Sequence, residues 1–199
     1  MVTPMILGQV ARPQAIFAQI VSVSDGDTLT IRSDSGQNIV IRLACIDAPE
    51  RNQPGGKESA QRLSTLLPKG VRVIFGPFGN KDQYGRTPGV VLRGPQFINV
   101  ELVREGQAWI YEKELSRCGY VQQFRQGQAT AQKQRLGLWS QANPCPPWDY
   151  RSNKCGAMRT PPPKKRTSNG DPSYSDVSIP PTRPNLGYGD ISHCCFCVL

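Results

Sequence analysis

The chain has 199 residues, room for one domain of ordinary size plus an extension. An apolar fraction of 38% supports a real core, and no apolar run approaches the ~20 residues of a membrane-spanning helix, so a membrane partner is not expected. The net charge of +9, with a pI near 9.4, suits a polyanionic partner such as nucleic acid.

Residues 1–14 read as an N-terminal extension. They make a poor secretion signal, because "MVTPMILGQVARPQ" lacks a basic start and Gln9, Arg12, Pro13 and Gln14 interrupt its apolar stretch. From residue 15 the pattern becomes orderly. "AIFAQIVSV", "TLTIR" and "NIVIRLACI" are β-branched and apolar runs separated by Asp-Gly and Ser-Gly turns, which predicts three sequential antiparallel strands. "KESAQRLSTLLP" carries Leu63, Leu66 and Leu67 on a helical face and stops at Pro68. "VRVIFGPF" and "TPGVVLRG" predict two further strands around the turn "KDQYGR". "INVELVREGQA" predicts a short helix that Gly106 can cap. In "YVQQFRQGQATAQKQRLGLWS", Val121, Phe124, Gln128, Ala131 and Leu136 line one side of a longer helix ending at Gly137. Five short strands with three helices predict an α+β fold, mainly β: a small closed barrel of the oligonucleotide-binding (OB) type with three flanking helices. This domain spans residues 15–142.

Two segments of that domain hold chemistry. "DGDT" (Asp25–Thr28) is by itself a hairpin turn with an Asx acceptor, or the first acid of a cation site. "IDAPE" (Ile46–Glu50) ends the third strand, and Pro49 holds Ala48 extended and Glu50 in a set direction. A hard cation takes several oxygens, and Asp27, Asp47 and the backbone carbonyl of Ala48 are three candidates. Arg42 lies between these acids, but in an unbroken strand it and Asp47 have opposite parity. They converge only if the strand bends or ends near Cys45–Asp47. "YGR" supplies a second arginine, Arg86, from a turn, and two planar guanidinium forks can grip one phosphate. Glu58 and Asp82 fit helix-start and turn roles, and Trp109 and Trp139 fit the core. His193, the single histidine, falls in the tail, which argues against a histidine base or ligand in the folded part.

The motifs "DGDT", "IRLACIDAPE", "DQYGR", "LVREGQAWIY" and "RLGLWS", in this order from Ala15 to Ala142, resemble the thermonuclease, or staphylococcal nuclease-like, family of the bacterial secreted type. The resemblance implies the five-stranded OB-type barrel and calcium-dependent endonucleolytic hydrolysis of DNA and RNA with low sequence specificity. By the same resemblance Asp27, Asp47 and the Ala48 carbonyl hold Ca2+, and Glu50 is the general base or water-orienting group. Arg42 and Arg86 clamp the phosphate, and Tyr84 and Tyr111 line the nucleotide pocket. Ala48 stands where the family's model member has threonine, a change that a backbone ligand tolerates. A tyrosine platform favours unpaired strands. The expected form is a monomer. The alternative is a catalytically silent OB-fold nucleic-acid-binding module, against which the intact set of Asp27, Asp47, Glu50, Arg42 and Arg86 argues.

The resemblance also packs the long helix near Cys45, which makes a Cys45–Cys118 disulfide an expectation, against Cys45 as a small buried apolar residue. Cys145 and Cys155 bracket "PPWDYRSNK" and could close a second loop. Disulfides and calcium use favour a secreted or periplasmic location. Residues 143–199 read as a Pro-rich basic linker and tail: residues 151–199 hold 7 of the 18 prolines and seven Lys/Arg against three acids, without apolar periodicity. Lys164, Lys165 and Arg166 form a basic triplet, read as solvated linker. No Asp-rich calcium loop is found there, and Cys194, Cys195 and Cys197 have no assigned role.

Overall fold

The computed structural model describes residues 14–155. The first three apolar runs form β1 (Ile16–Val23), β2 (Thr28–Ser33) and β3 (Asn38–Leu43), paired antiparallel in sequence order. Because side chains alternate along a strand, Ala18, Ile20, Leu29, Ile31, Ile41 and Leu43 all point inward and are buried. Two residues past β3 the chain resumes as the short β4 (Ile46–Asp47). The next strand, β5 (Arg72–Pro77), pairs with β1, and β6 (Thr87–Arg93) pairs with β5. β6 then runs parallel to β3, with Ile41 opposite Thr87 and Leu43 opposite Gly89. That last pairing closes a five-stranded mixed barrel and removes the sheet edges. A glycine is required at the closure, because a Cβ on Gly89 would collide with the Gly76 carbonyl oxygen and the Phe75 ring. β7 (Gln96–Phe97) folds back on β6, and β8 (Trp109–Ile110) pairs antiparallel with β4.

The three expected helices pack against the barrel. α1 (Gly56–Leu66) buries Ser59, Leu63 and Leu66. α2 (Ile98–Arg104) buries Ile98, Asn99, Leu102 and Val103, and Gly106, at φ 68°, donates its N–H to the Val103 carbonyl at 3.0 Å. After the four-residue α3 (Glu112–Leu115), α4 (Val121–Gln134) lays Phe124, Gly127 and Ala131 against the core. α4 ends before Gly137: Arg135 takes the left-handed conformation, and the Leu136 N–H returns to the Ala131 carbonyl at 2.9 Å. Leu136 therefore lies beyond the helix, and Gly127 takes the buried place on its stripe.

Two disulfides are present, Cys45–Cys118 and Cys145–Cys155. The second closes a loop holding α5 (Pro147–Arg151), whose proline at the first turn suits a helix start. Residues 143–155, grouped with the tail by composition, are thus in part helical. Their packing is fixed by hydrogen bonds from Gln53 Nε2 to the Cys145 carbonyl (2.7 Å) and from the Tyr150 hydroxyl to the Asn52 carbonyl (3.2 Å). The expectations for residues 1–13 and for the tail from 156 on, among them the basic triplet, His193 and Cys194, Cys195 and Cys197, lie outside the described residues.

Candidate active site

The register of β2 and β3 does the first positioning. Thr28 pairs with Arg42, and the Leu43 N–H reaches the Asp27 carbonyl at 2.8 Å, so Asp27 sits beside the end of β3. There the strand breaks. Cys45 adopts φ 67°, unusual for a residue with a side chain. Fully buried Asn99 pins the break: its Nδ2 donates to the Ala44 carbonyl at 2.9 Å, while its Oδ1 accepts from the Val91 N–H at 3.1 Å. The break cancels the parity mismatch and turns Asp47 to the side of Arg42. Arg42 Nη1 meets Asp27 Oδ2 at 2.8 Å, and its Nη2 meets Asp47 Oδ1 at 2.9 Å.

Gly26 is required here by packing rather than by backbone conformation, since its φ is not in the left-handed region. A Cβ would collide with the Ser59 hydroxyl of α1 and the Ala48 side chain. Asp27 is further fixed by the Ala48 N–H on Oδ2 (2.9 Å) and the Thr28 hydroxyl on Oδ1 (3.1 Å). Asp25 Oδ1 accepts the Asp27 N–H at 3.0 Å.

Charge is crowded at this wall. Asp47 is 1% exposed, and burial pushes its carboxyl above the usual carboxylate range, with Arg151 and Arg42 pulling the other way. Asp25 is also pushed up, first by burial and then by the charge of Asp27. For Arg42, burial disfavours the charged guanidinium, but Asp27 and Asp47 outweigh it and hold the group protonated.

The turn before β6 supplies more of the lining. Asp82 accepts the N–H groups of Tyr84 and Arg86 (2.9 Å each) and the Arg86 Nε at 2.8 Å, which aims the guanidinium inward. Those bonds lower the Asp82 carboxyl despite its partial burial. Arg86 Nη1 reaches Thr28 Oγ1 at a long 3.4 Å, and its guanidinium lies 5.2 Å from the centre of the exposed Tyr84 ring. Tyr111 follows β8 and is anchored by its N–H on the Cys45 carbonyl at 2.9 Å. All eight predicted site residues, Asp27, Arg42, Asp47, Ala48, Glu50, Tyr84, Arg86 and Tyr111, line one cavity of about 590 Å³.

Residues 40–141 match the protein family described as staphylococcal nuclease homologue. The chain belongs to that family. Among its relatives, an uncharacterized endonuclease of Haemophilus influenzae is 40% identical over 134 residues, covering 67% of this chain and 71% of the relative. An uncharacterized endonuclease of Escherichia coli O157:H7 is 38% identical over 141 residues, 70% and 87% of the two chains. A micrococcal nuclease of Shigella flexneri is 37% identical over 143 residues, 67% and 79%. The protein is thus a nuclease, a hydrolase whose substrates are nucleic acids.

Within this nuclease the oxygens facing the cavity suit a hard cation in chemistry. Asp27 and Asp47 both meet the Arg42 guanidinium at the cavity wall, and carboxylate oxygens are the donors a hard cation takes. As the side chains stand, no three Asp, Glu, His or Cys among the described residues form a ready-made metal cluster, because Asp27 and Asp47 face guanidiniums.

Sequence reasoning missed three participants. Arg151, from α5, donates to Asp47 Oδ2 at 2.7 Å and to Glu50 Oε1 at 2.7 Å. Glu114, from α3, lines the cavity and accepts the Cys45 N–H at 3.2 Å. Trp148 packs edge-on against Trp109 at 5.9 Å and lies 6.1 Å from Tyr111. The usable signal for Arg151 and Trp148 was "PPWDYR" between two cysteines, a pattern that folds without a core of its own.

Proposed function

We propose that the protein is a calcium-dependent endonuclease that hydrolyses phosphodiester bonds of DNA and RNA with low sequence specificity, favours single strands, and acts as a monomer. The observation that carries this reading is the convergence of Asp27, Asp47 and Arg42 on one wall of a cavity that also holds Glu50, Arg86 and Tyr84. Asp27, Asp47 and the Ala48 carbonyl would hold the ion, which when bound supplies positive charge to the phosphate oxygens.

The chain's own groups account for the rest. Glu50 accepts the proton of the attacking water as the new P–O bond forms and the bond to the leaving oxygen breaks. The two arginines are not equally free. Arg42 is committed to Asp27, Asp47 and the Leu43 and Ile46 carbonyls, whereas among the described residues Arg86 makes polar contacts with Asp82 and, at long range, Thr28. Arg86 is therefore the principal phosphate clamp, with a rigid fork that matches two phosphate oxygens. Arg42 holds the carboxylates and offers its charge as negative charge builds, an effect often worth about 3 kcal/mol per donor. Tyr84, 73% exposed, offers a face on which any unpaired base can stack, and Tyr111 lines the same pocket. Two disulfides support an oxidising compartment, secreted or periplasmic.

The test is incubation of single-stranded DNA and of RNA with the purified protein, in calcium or in chelator. Internal cleavage in calcium alone is the expected result. Binding without cleavage would make it a silent OB-type module, and cleavage undiminished in chelator would remove calcium from the mechanism.

A further inference from the structure

We propose that Arg151 is a positioning residue of this nuclease, holding Glu50 in register with Asp47, and that the Cys145–Cys155 loop exists at this site to deliver it. The inference rests on the reading of Glu50 as the proton acceptor. Glu50 follows Pro49 on an irregular segment, and its side chain is 40% exposed, so the backbone alone does not set its carboxylate. Among the described residues, the side-chain hydrogen bond to that carboxylate comes from Arg151, Nη1 to Oε1 at 2.7 Å. The same guanidinium grips Asp47 with Nη2 on Oδ2 at 2.7 Å and Nη1 on Oδ1 at 3.3 Å. One rigid planar group thus bridges an acid of the cation wall and the acid of the water wall, and fixes the distance between them. A lysine, with a single point of charge on a flexible stem, could not hold both in one geometry.

The element carrying Arg151 is built to be stiff. α5 has five residues and no core of its own, yet it is held from several sides. The Cys145–Cys155 disulfide closes the loop at its base, Gln53 Nε2 bonds the Cys145 carbonyl in a buried contact, and Trp148 packs on Trp109. Gln53 also accepts the Glu50 N–H at 3.2 Å, so one side chain ties the loop of Glu50 to the loop of Arg151. Such a supporting shell is what a catalytic carboxylate needs to stay within a fraction of an ångström of its productive place. Composition assigns this segment to a linker; its contacts assign it to the active site.

The experiment is a double-mutant cycle on the full chain with oxidised disulfides, measuring kcat and KM on single-stranded DNA together with the calcium Kd by calorimetry. Arg151→Gln should lower kcat by on the order of 10- to 100-fold, the range expected for misplacing a reacting group by about 1 Å. KM should stay within about twofold, and calcium should bind as tightly or more tightly, since a cation leaves Asp47. Arg151→Lys should regain little of the rate. In a Glu50→Gln background, Arg151→Gln should cost almost nothing further, because the two act as one unit. Cys145→Ser with Cys155→Ser should reproduce the kcat loss, and should add little to Arg151→Gln.

Parental kcat in Arg151→Gln overturns the proposal while leaving the role of Glu50 intact. Parental kcat in Glu50→Gln overturns the role of Glu50 and the proposal with it. Additive losses in the cycle, a calcium Kd weakened by tenfold or more, or a loss confined to KM would make Arg151 a metal-site support or a substrate contact and also overturn it. A faster Arg151→Gln enzyme would show that Arg151 blocks the site.

Discussion

The two disulfides should contribute very differently to stability. Cys45–Cys118 spans 73 residues and ties the break after β3 to the start of α4, whereas Cys145–Cys155 spans 10. In the chain-entropy account, cross-linking removes conformations from the unfolded state in proportion to the logarithm of loop length. That gives about 4.4 kcal/mol for the long loop and about 2.7 kcal/mol for the short one at 25 °C. Replacing Cys45 and Cys118 by alanine should therefore lower Tm by roughly 9–18 °C, taking 2–4 °C per kcal/mol for a chain of this size. Part of that loss returns if the left-handed backbone at Cys45 relaxes once it is released, so the upper value is a ceiling. The Cys145/Cys155 alanine pair should unfold only the α5 loop early and shift the main transition less. Urea and thermal unfolding of the parent and both pairs, followed by circular dichroism, decide it. Equal shifts for the two pairs, or Cys45 alkylated in the native unreduced protein, would refute the reasoning.

Other consequences are as direct. Asp27→Ala should weaken calcium binding and cleavage together, with partial recovery in excess calcium; full activity with unchanged calcium affinity in a titration would remove Asp27 from the cation wall. Arg86→Lys keeps the charge but loses the fork, so kcat should fall by about 10- to 100-fold with a smaller change in KM, as steady-state kinetics would report. Asp25, raised by burial and by Asp27, favours its protonated form in the folded state, so its contribution to stability is present at low pH and is lost as pH rises past the ordinary carboxylate range. Asp25→Asn should then raise the urea midpoint at pH 7, with the gap closing in acid; a gap that widened in acid would reverse the assigned sign. Gly89→Ala should cost about 1–3 kcal/mol, because the colliding atoms include backbone at the barrel closure, and a denaturant series checks it.

The fold was largely legible in the chain itself because its signals are local. Alternation in "TLTIR" and "NIVIRL" places Leu29, Ile31, Ile41 and Leu43 on one face whatever surrounds them, and Gly106 can end α2 by its own conformational freedom. The eight residues that motif order singled out line one cavity, since strand ends and turns at one end of a small barrel are neighbours by construction.

What tertiary structure alone decided is how those residues meet. Period-two counting places Arg42 and Asp47 on opposite faces, and only the break at Cys45, held by buried Asn99 from α2, brings them to 2.9 Å. Nothing local in "INV" marks Asn99 as the residue that satisfies Ala44 and Val91. Gly26 reads as a turn glycine, yet the Ser59 hydroxyl of a helix thirty residues away leaves it no room for a side chain. Arg151 is the clearest case. Its segment has no apolar periodicity, so composition assigns it to a linker. Its place between Asp47 and Glu50 is set by a buried glutamine and a tryptophan contact that exist only once the barrel has formed, on a loop closed by its own short disulfide. Periodicity reports which face of an element meets the core; contacts between residues a hundred positions apart are decided by closure of the chain on itself.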